Sequence, residues 1–201
     1  MRKILNVIVS STELHAKWLN TLSYLENCGA RKIAACEHPA LVKEEMLKHA
    51  AEEFRHAHHL KRQIEKITLA KMETYALPWL LGGTASLHYL RALDIRASRY
   101  LQEAGYFSTD LREAAYFLVT YAIECRADEL YLIYDDVLRQ AKSRVGVKSI
   151  LLEEKEHLNE MREGLQQLPS GMVHANKICS IESELCEKWL FVLKSKLKCI
   201  N

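Results

Sequence analysis

The chain has 201 residues, 49% apolar and 27% charged, which suits one domain with a substantial core. Seven glycines and three prolines leave little turn chemistry, favouring long helices over many short strands. The net charge of +2 is spread over interspersed acids and bases, with no basic run to mark a nucleic-acid surface. No stretch reaches about 18 uninterrupted apolar residues, so no membrane span is expected.

The opening "MRKILNVIVSS" has a basic pair and a short apolar run but no A-x-A-like cleavage site, so no signal peptide is expected. Ser10 with Glu13 forms a capping-box pattern for a first helix from about residue 11, through Trp18, Leu22, Leu25 and Ile33, to about Cys36. His38 precedes Pro39, which places a turn there and opens a second helix. Its apolar positions run through 42, 46, 47, 50, 54, 57, 60, 64 and 67 to about Ala76, before "LPWLLGG" breaks the pattern.

Thr84 is a cap for a third helix ending near Gly105. "STDLRE" (108–113) opens a fourth through Phe117, Tyr121, Ile123 and Leu130, and a turn follows somewhere between Tyr134 and Val147. A fifth helix covers "SILLEEKEHLNEMREGL", "LPSGM" interrupts, and a last helix spans about Ser180 to Leu197. The sum is an all-α protein: two helix pairs, about 11–36 with 39–76 and about 110–134 with 147–168, joined by a long middle connection. That is a four-helix bundle with a crossover over residues 1–168, followed at 169–201 by a C-terminal linker and packing helix. The six cysteines (28, 36, 125, 179, 186 and 199) contain no C-x-x-C, which argues against a zinc knuckle or a thioredoxin motif and fits a reducing cytoplasm.

Two Glu-x-x-His pairs, Glu53 with His56 and Glu154 with His157, stand on different helices. Residues i and i+3 share a helix face, so each pair can aim a carboxylate and an imidazole at one metal ion. A bundle holding two metals needs one further carboxylate from each partner helix at the same height. Glu26 lies 13 residues before Pro39 and Glu53 lies 14 after it, so an antiparallel pair folded there brings them level. Glu124 follows a nearly continuous apolar run, where a carboxylate is costly unless paired, hydrogen-bonded or metal-bound. The expected ligand set is Glu26, Glu53, His56, Glu124, Glu154 and His157, with Glu53 and Glu154 bridging. Hard carboxylate oxygens and one imidazole per metal suit two iron ions, and equally a mixed Mn/Fe pair. No catalytic residue beyond these ligands, and no other cofactor site, is expected.

With this pattern the chain resembles the ferritin-like di-iron carboxylate superfamily over about residues 11 to 168. "EEFRH", "AIECRADELYLIY" and "EEKEHL" are similar to segments of aldehyde-deformylating oxygenases and of tRNA hydroxylases. The resemblance implies an O2-activating non-haem di-iron site at the six positions, and it leaves tRNA open as a partner. The chain departs from rubrerythrins in carrying Ala127 three residues after Glu124 and in lacking a cysteine-ligated iron motif.

Around the ligands, Asp128 shares a face with Glu124 and is expected to orient a histidine, while His49 and Tyr121 lie within reach as supporting groups. The functional expectation is a cytoplasmic di-iron oxidase or oxygenase acting with O2 on a small organic molecule, and the apolar helices leave room for a hydrophobic one. It would be a monomer or homodimer drawing electrons from a separate reductase, because no flavin or nicotinamide fingerprint is present. The alternatives are a ferritin- or rubrerythrin-like iron-handling or peroxide-detoxifying protein, and a metal-free helical interaction module.

Overall fold

The computed structural model describes residues 1–37 and 40–198. Among them are seven α-helices and no strand: α1 (Arg2–Val9), α2 (Thr12–Cys36), α3 (Glu44–Ile64), α4 (Thr84–Glu103), α5 (Ser108–Gln140), α6 (Lys148–Gln166) and α7 (Gly171–Lys198). The all-α bundle expected from composition and periodicity is present. His38 and Pro39, which the sequence places at the first turn, lie outside the described residues, as does Cys199.

α2 and α3 run antiparallel along most of their length. Side-chain contacts fix their register: the Ser23 hydroxyl donates to the Ala57 carbonyl at 2.7 Å, and Lys61 donates to Asn20 one turn further along. α5 and α6 form the second antiparallel pair, with Phe117 packed on Gly164. α4 and α7 pack together and against α5, closing one side of the bundle.

Several boundaries differ from the sequence reading, each for a local reason. Arg2–Val9 form a helix of their own that buries Leu5 and Ile8, and the cap of α2 is Ser11, whose hydroxyl accepts from the Leu14 N–H at 3.4 Å. α3 stops at Ile64, not near Ala76. The next stretch is extended because α2 and α3 side chains take its backbone groups: Lys61 donates to the Met72 carbonyl, Asn20 to those of Thr74 and Trp79, and the Leu81 N–H donates to Thr21. Gly83, with φ +58°, precedes α4 in place of Thr84. The turn after α5 falls at residues 141–147, and α7 begins at Gly171, nine residues before the expected start.

Buried apolar residues form two clusters along the bundle. One takes Leu14 to Leu22 of α2, Leu60 and Ile64 of α3, Leu130 to Leu138 of α5, and Ile150 and Leu151 of α6. The other takes Ile33, Met46, Ala50, Ala114 to Ala122, and Leu158 to Leu165. On each of the four helices the cluster changes at the position of a candidate ligand. The polar side chains thus form one layer between two apolar blocks. Among the described residues no helix is long and apolar enough to cross a membrane.

Candidate metal centre

The layer between the clusters contains all six residues singled out by spacing. Glu53 and Glu124 are 5% and 4% exposed, Glu154 and His157 1%, and His56 2%, while Glu26 is only partly buried. Such burial of three carboxylates, with a fourth partly buried beside them, is unfavourable unless cations or protons compensate. Two groups of possible ligand atoms each fall within 4.8 Å of one another: Glu26, Glu53, His56 and Glu154, then Glu53, Glu124, Glu154 and His157. Glu53 and Glu154 belong to both groups. This cluster can hold a metal ion.

Both histidines present Nδ1 to the cluster. His56 Nδ1 lies 3.1 Å from Glu154 Oε1 and 3.7 Å from Glu53 Oε2. His157 Nδ1 lies 3.4 Å from Glu53 Oε1 and 3.8 Å from Glu124 Oε1. Each ring then donates its outer Nε2–H across the helix pair, His56 to Glu153 at 2.7 Å and His157 to Glu52 at 2.8 Å. Arg55 ties the two acceptors together, donating to both oxygens of Glu153 at 2.9 Å and standing 3.7 Å from Glu52.

The pattern is reciprocal. In "EEFRH" and in "EEKEH" the second glutamate faces the cluster and the first accepts from the histidine of the other helix. Sequence reasoning did not single out Glu52 or Glu153. The doubling of glutamate in both motifs was the available signal.

The buried carboxylates and histidines of the layer shift one another's protonation. Burial, and then the charges of Glu53 and Glu154, push the Glu26 carboxyl well above the usual carboxylate range. Burial and the neighbouring Glu154 do the same to Glu124. Burial alone would raise Glu53 as well, but the nearby imidazoles of His157 and His56 outweigh it and hold that carboxyl low. The histidines respond in kind. Desolvation works against their charge, yet contacts with Glu154 and Glu53 push His56 up to about 12, and contacts with Glu53 and Glu52 push His157 up to about 9. Four buried atoms in the layer still have no hydrogen-bond partner: His56 Nδ1, His157 Nδ1, Glu124 Oε2 and Glu154 Oε1.

The supporting groups differ from expectation. His49 is buried beside the site, its ring centroid 4.7 Å from that of His157, but it bonds outward to Glu160 at 2.5 Å. Asp128 makes no hydrogen bond to either histidine, because Glu52 and Glu153 already take both outer ring nitrogens, and its buried Oδ1 has no partner. Tyr121 turns toward Arg162 and Cys125. The tyrosine that reaches the site is Tyr131, fully buried, whose hydroxyl donates to Glu26 Oε1.

A cavity of about 70 Å³ opens beside the layer, enclosed by α2, α4, α5 and α7, with Glu26, Glu53 and Glu124 in its wall. Its remaining surface is mainly apolar and aromatic, including Leu25, Ile123, Leu130, Tyr89 and Trp189. No protein family, curated protein or solved structure matches the chain at a significant level.

Proposed function

We propose that this chain is a non-haem di-iron enzyme that reduces O2 at a carboxylate-bridged metal pair and oxidises a small organic molecule. The observation that carries the reading is the set of four unpartnered buried atoms, two imidazole nitrogens and two carboxylate oxygens, facing one another inside an apolar bundle. Leaving such atoms unpaired is costly, and two divalent cations would satisfy all of them. Four carboxylates offset the charge of two M(II) ions, and two neutral imidazoles complete a donor set that suits iron or manganese. The motif resemblance to di-iron carboxylate oxygenases favours iron.

In this reading Glu53 and Glu154 would contribute donors to both metal positions, Glu26 and His56 would complete one donor group, and Glu124 and His157 the other. Two Fe(II) ions, when bound there, would supply electrons for the reduction of O2. The chain's own contribution is orientation and exclusion. Glu153 and Glu52 fix each histidine with Nδ1 inward, and such outer partners also raise ligand basicity. Tyr131 donates to one oxygen of Glu26 and so orients that carboxylate. The two apolar clusters keep bulk water from the layer, and the cavity along Glu26, Glu53 and Glu124 gives a small molecule access to it. No flavin or nicotinamide motif is present in the sequence, so electrons for repeated turnover come from a separate reductase.

The test is O2 uptake by protein loaded anaerobically with Fe(II). Sustained consumption that requires both an electron donor and bound iron is expected, with iron retention saturating at two per chain. Retention that keeps rising as more iron is supplied, with no donor-dependent O2 consumption, is the behaviour of iron storage and would overturn the enzymatic reading.

A further inference from the structure

Gly29 stands in the interior of α2, where glycine is the least favoured residue after proline. Close backbone packing does not account for it. A Cβ built at this position meets a single atom within 4 Å, Glu53 Oε2 at 3.9 Å, which is an ordinary van der Waals distance. Gly29 follows Glu26 by three residues, so it lies one turn along the same face, and both line the cavity beside the carboxylate layer. Across that cavity, on α5, Ala127 follows Glu124 by the same three residues and lines it too. Each end carboxylate of the layer is therefore followed, one turn on, by a residue with little or no side chain.

The cavity wall itself indicates what could occupy the space: beyond the carboxylates it is mainly apolar, with Leu22, Leu25, Ile123 and Leu130 around Gly29 and Ala127. The two cations in the wall are already paired, Lys32 with Asp94 and Arg126 with Glu182, so the wall offers no spare positive charge to an anion. A volume of about 70 Å³ amounts to roughly five water-sized positions at about 15 Å³ each. That is room for a small gas molecule or a short hydrocarbon.

We propose that Gly29 and Ala127 set the width of the passage by which a small, uncharged, apolar ligand reaches the carboxylate layer. The proposal rests on the metal-centre reading for its purpose, and its test includes a readout that needs no metal. A leucine at either position fills the space beside Glu26 or Glu124, whereas alanine at 29 narrows it only slightly.

The experiment compares wild type, Gly29→Ala, Gly29→Leu and Ala127→Leu with two probes. Xenon binding to the metal-free protein, followed by 129Xe NMR, reports the space itself. Association of nitric oxide with the Fe(II)-loaded protein reports passage to the metals. Overpacking of the usual size predicts that both leucine variants lose xenon affinity and slow nitric oxide association by about tenfold or more, at wild-type iron content. Gly29→Ala keeps both probes near wild type and melts at a higher temperature, because alanine is the better helix former. Should Gly29→Leu not fold, Ala127→Leu carries the same two readouts from the opposite wall.

Wild-type xenon affinity in the leucine variants, or no xenon binding by wild type, would overturn the proposal. Xenon binding that the leucine variants lose, in a protein that takes up no iron, would leave the passage standing and remove the metal reading instead.

Discussion

The reciprocal acceptors Glu52 and Glu153 give a prediction that separates the two metal positions. Glu153→Gln preserves the size of the side chain and an acceptor oxygen but removes the charge that strengthens the 2.7 Å bond from His56. Glu52→Gln does the same to the 2.8 Å bond from His157. Both carboxylates are largely covered, 26% and 19% exposed, so solvent screens them only in part. Removing a partner of this kind weakens metal affinity by about 10- to 100-fold, equivalent to about 1.4–2.7 kcal/mol.

The loss falls on one position only. Glu153→Gln weakens the site of Glu26 and His56, and Glu52→Gln the site of Glu124 and His157. Titration of the metal-free variants with Co(II), followed by visible absorption and calorimetry, should show one binding step displaced and the other retained. The retained step should differ in identity between the variants, which the combination with Glu26→Ala or Glu124→Ala reveals. Equal weakening of both steps, or no change beyond about threefold in either, would refute the assignment of the two acceptors, since their removal should cost more than that.

Two further predictions concern stability. His15 is buried against Tyr134, at 2.6 Å, and desolvation lowers it to about 4 from an ordinary value near 6.5. The unfolded chain then binds the extra proton between those values, so stability falls as pH drops from about 6.5 toward 4, by up to about 3 kcal/mol. Urea unfolding across that range should show the slope in wild type and a shallower one in His15→Gln, and parallel curves would contradict the burial argument. Arg126 grips buried Glu182 through two bonds of 2.9 and 2.8 Å, so Arg126→Met strands a charge and should cost about 3–5 kcal/mol. Adding Glu182→Leu should recover a large part of the loss in denaturant unfolding, and a double variant weaker than the single would show that the pair is not the source.

Much of this arrangement was legible because it follows from helix geometry. Glu26 and Glu53 stand at nearly equal distances from one turn, and Glu124 is a carboxylate in a strongly apolar run, so rise per residue and the cost of buried charge are enough to bring them together. The end of α3 was not legible. The apolar period that runs through 57, 60 and 64 continues to Ile67, but Lys61 and Asn20 capture the backbone of residues 72, 74 and 79, and those long-range bonds win. The roles of Glu52 and Glu153 were hidden for a related reason. A charged residue on a helix reads as solvated until the facing helix is in place, and only the pairing of α3 with α6 turns each glutamate onto the other's histidine. Tyr121 and Tyr131 both lie within two turns of Glu124, and spacing alone does not favour Tyr131.

Two metal ions held through shared carboxylates would make this polar layer a dinuclear centre. The most direct measurement is metal content per chain after anaerobic loading with Fe(II) and desalting, for wild type, Glu26→Ala and Glu53→Ala. Wild type should retain two ions per chain, Glu26→Ala one, and Glu53→Ala, which removes a residue common to both groups, should retain neither firmly. Fewer than one ion per wild-type chain, or the same content in Glu53→Ala as in wild type, would contradict a dinuclear centre.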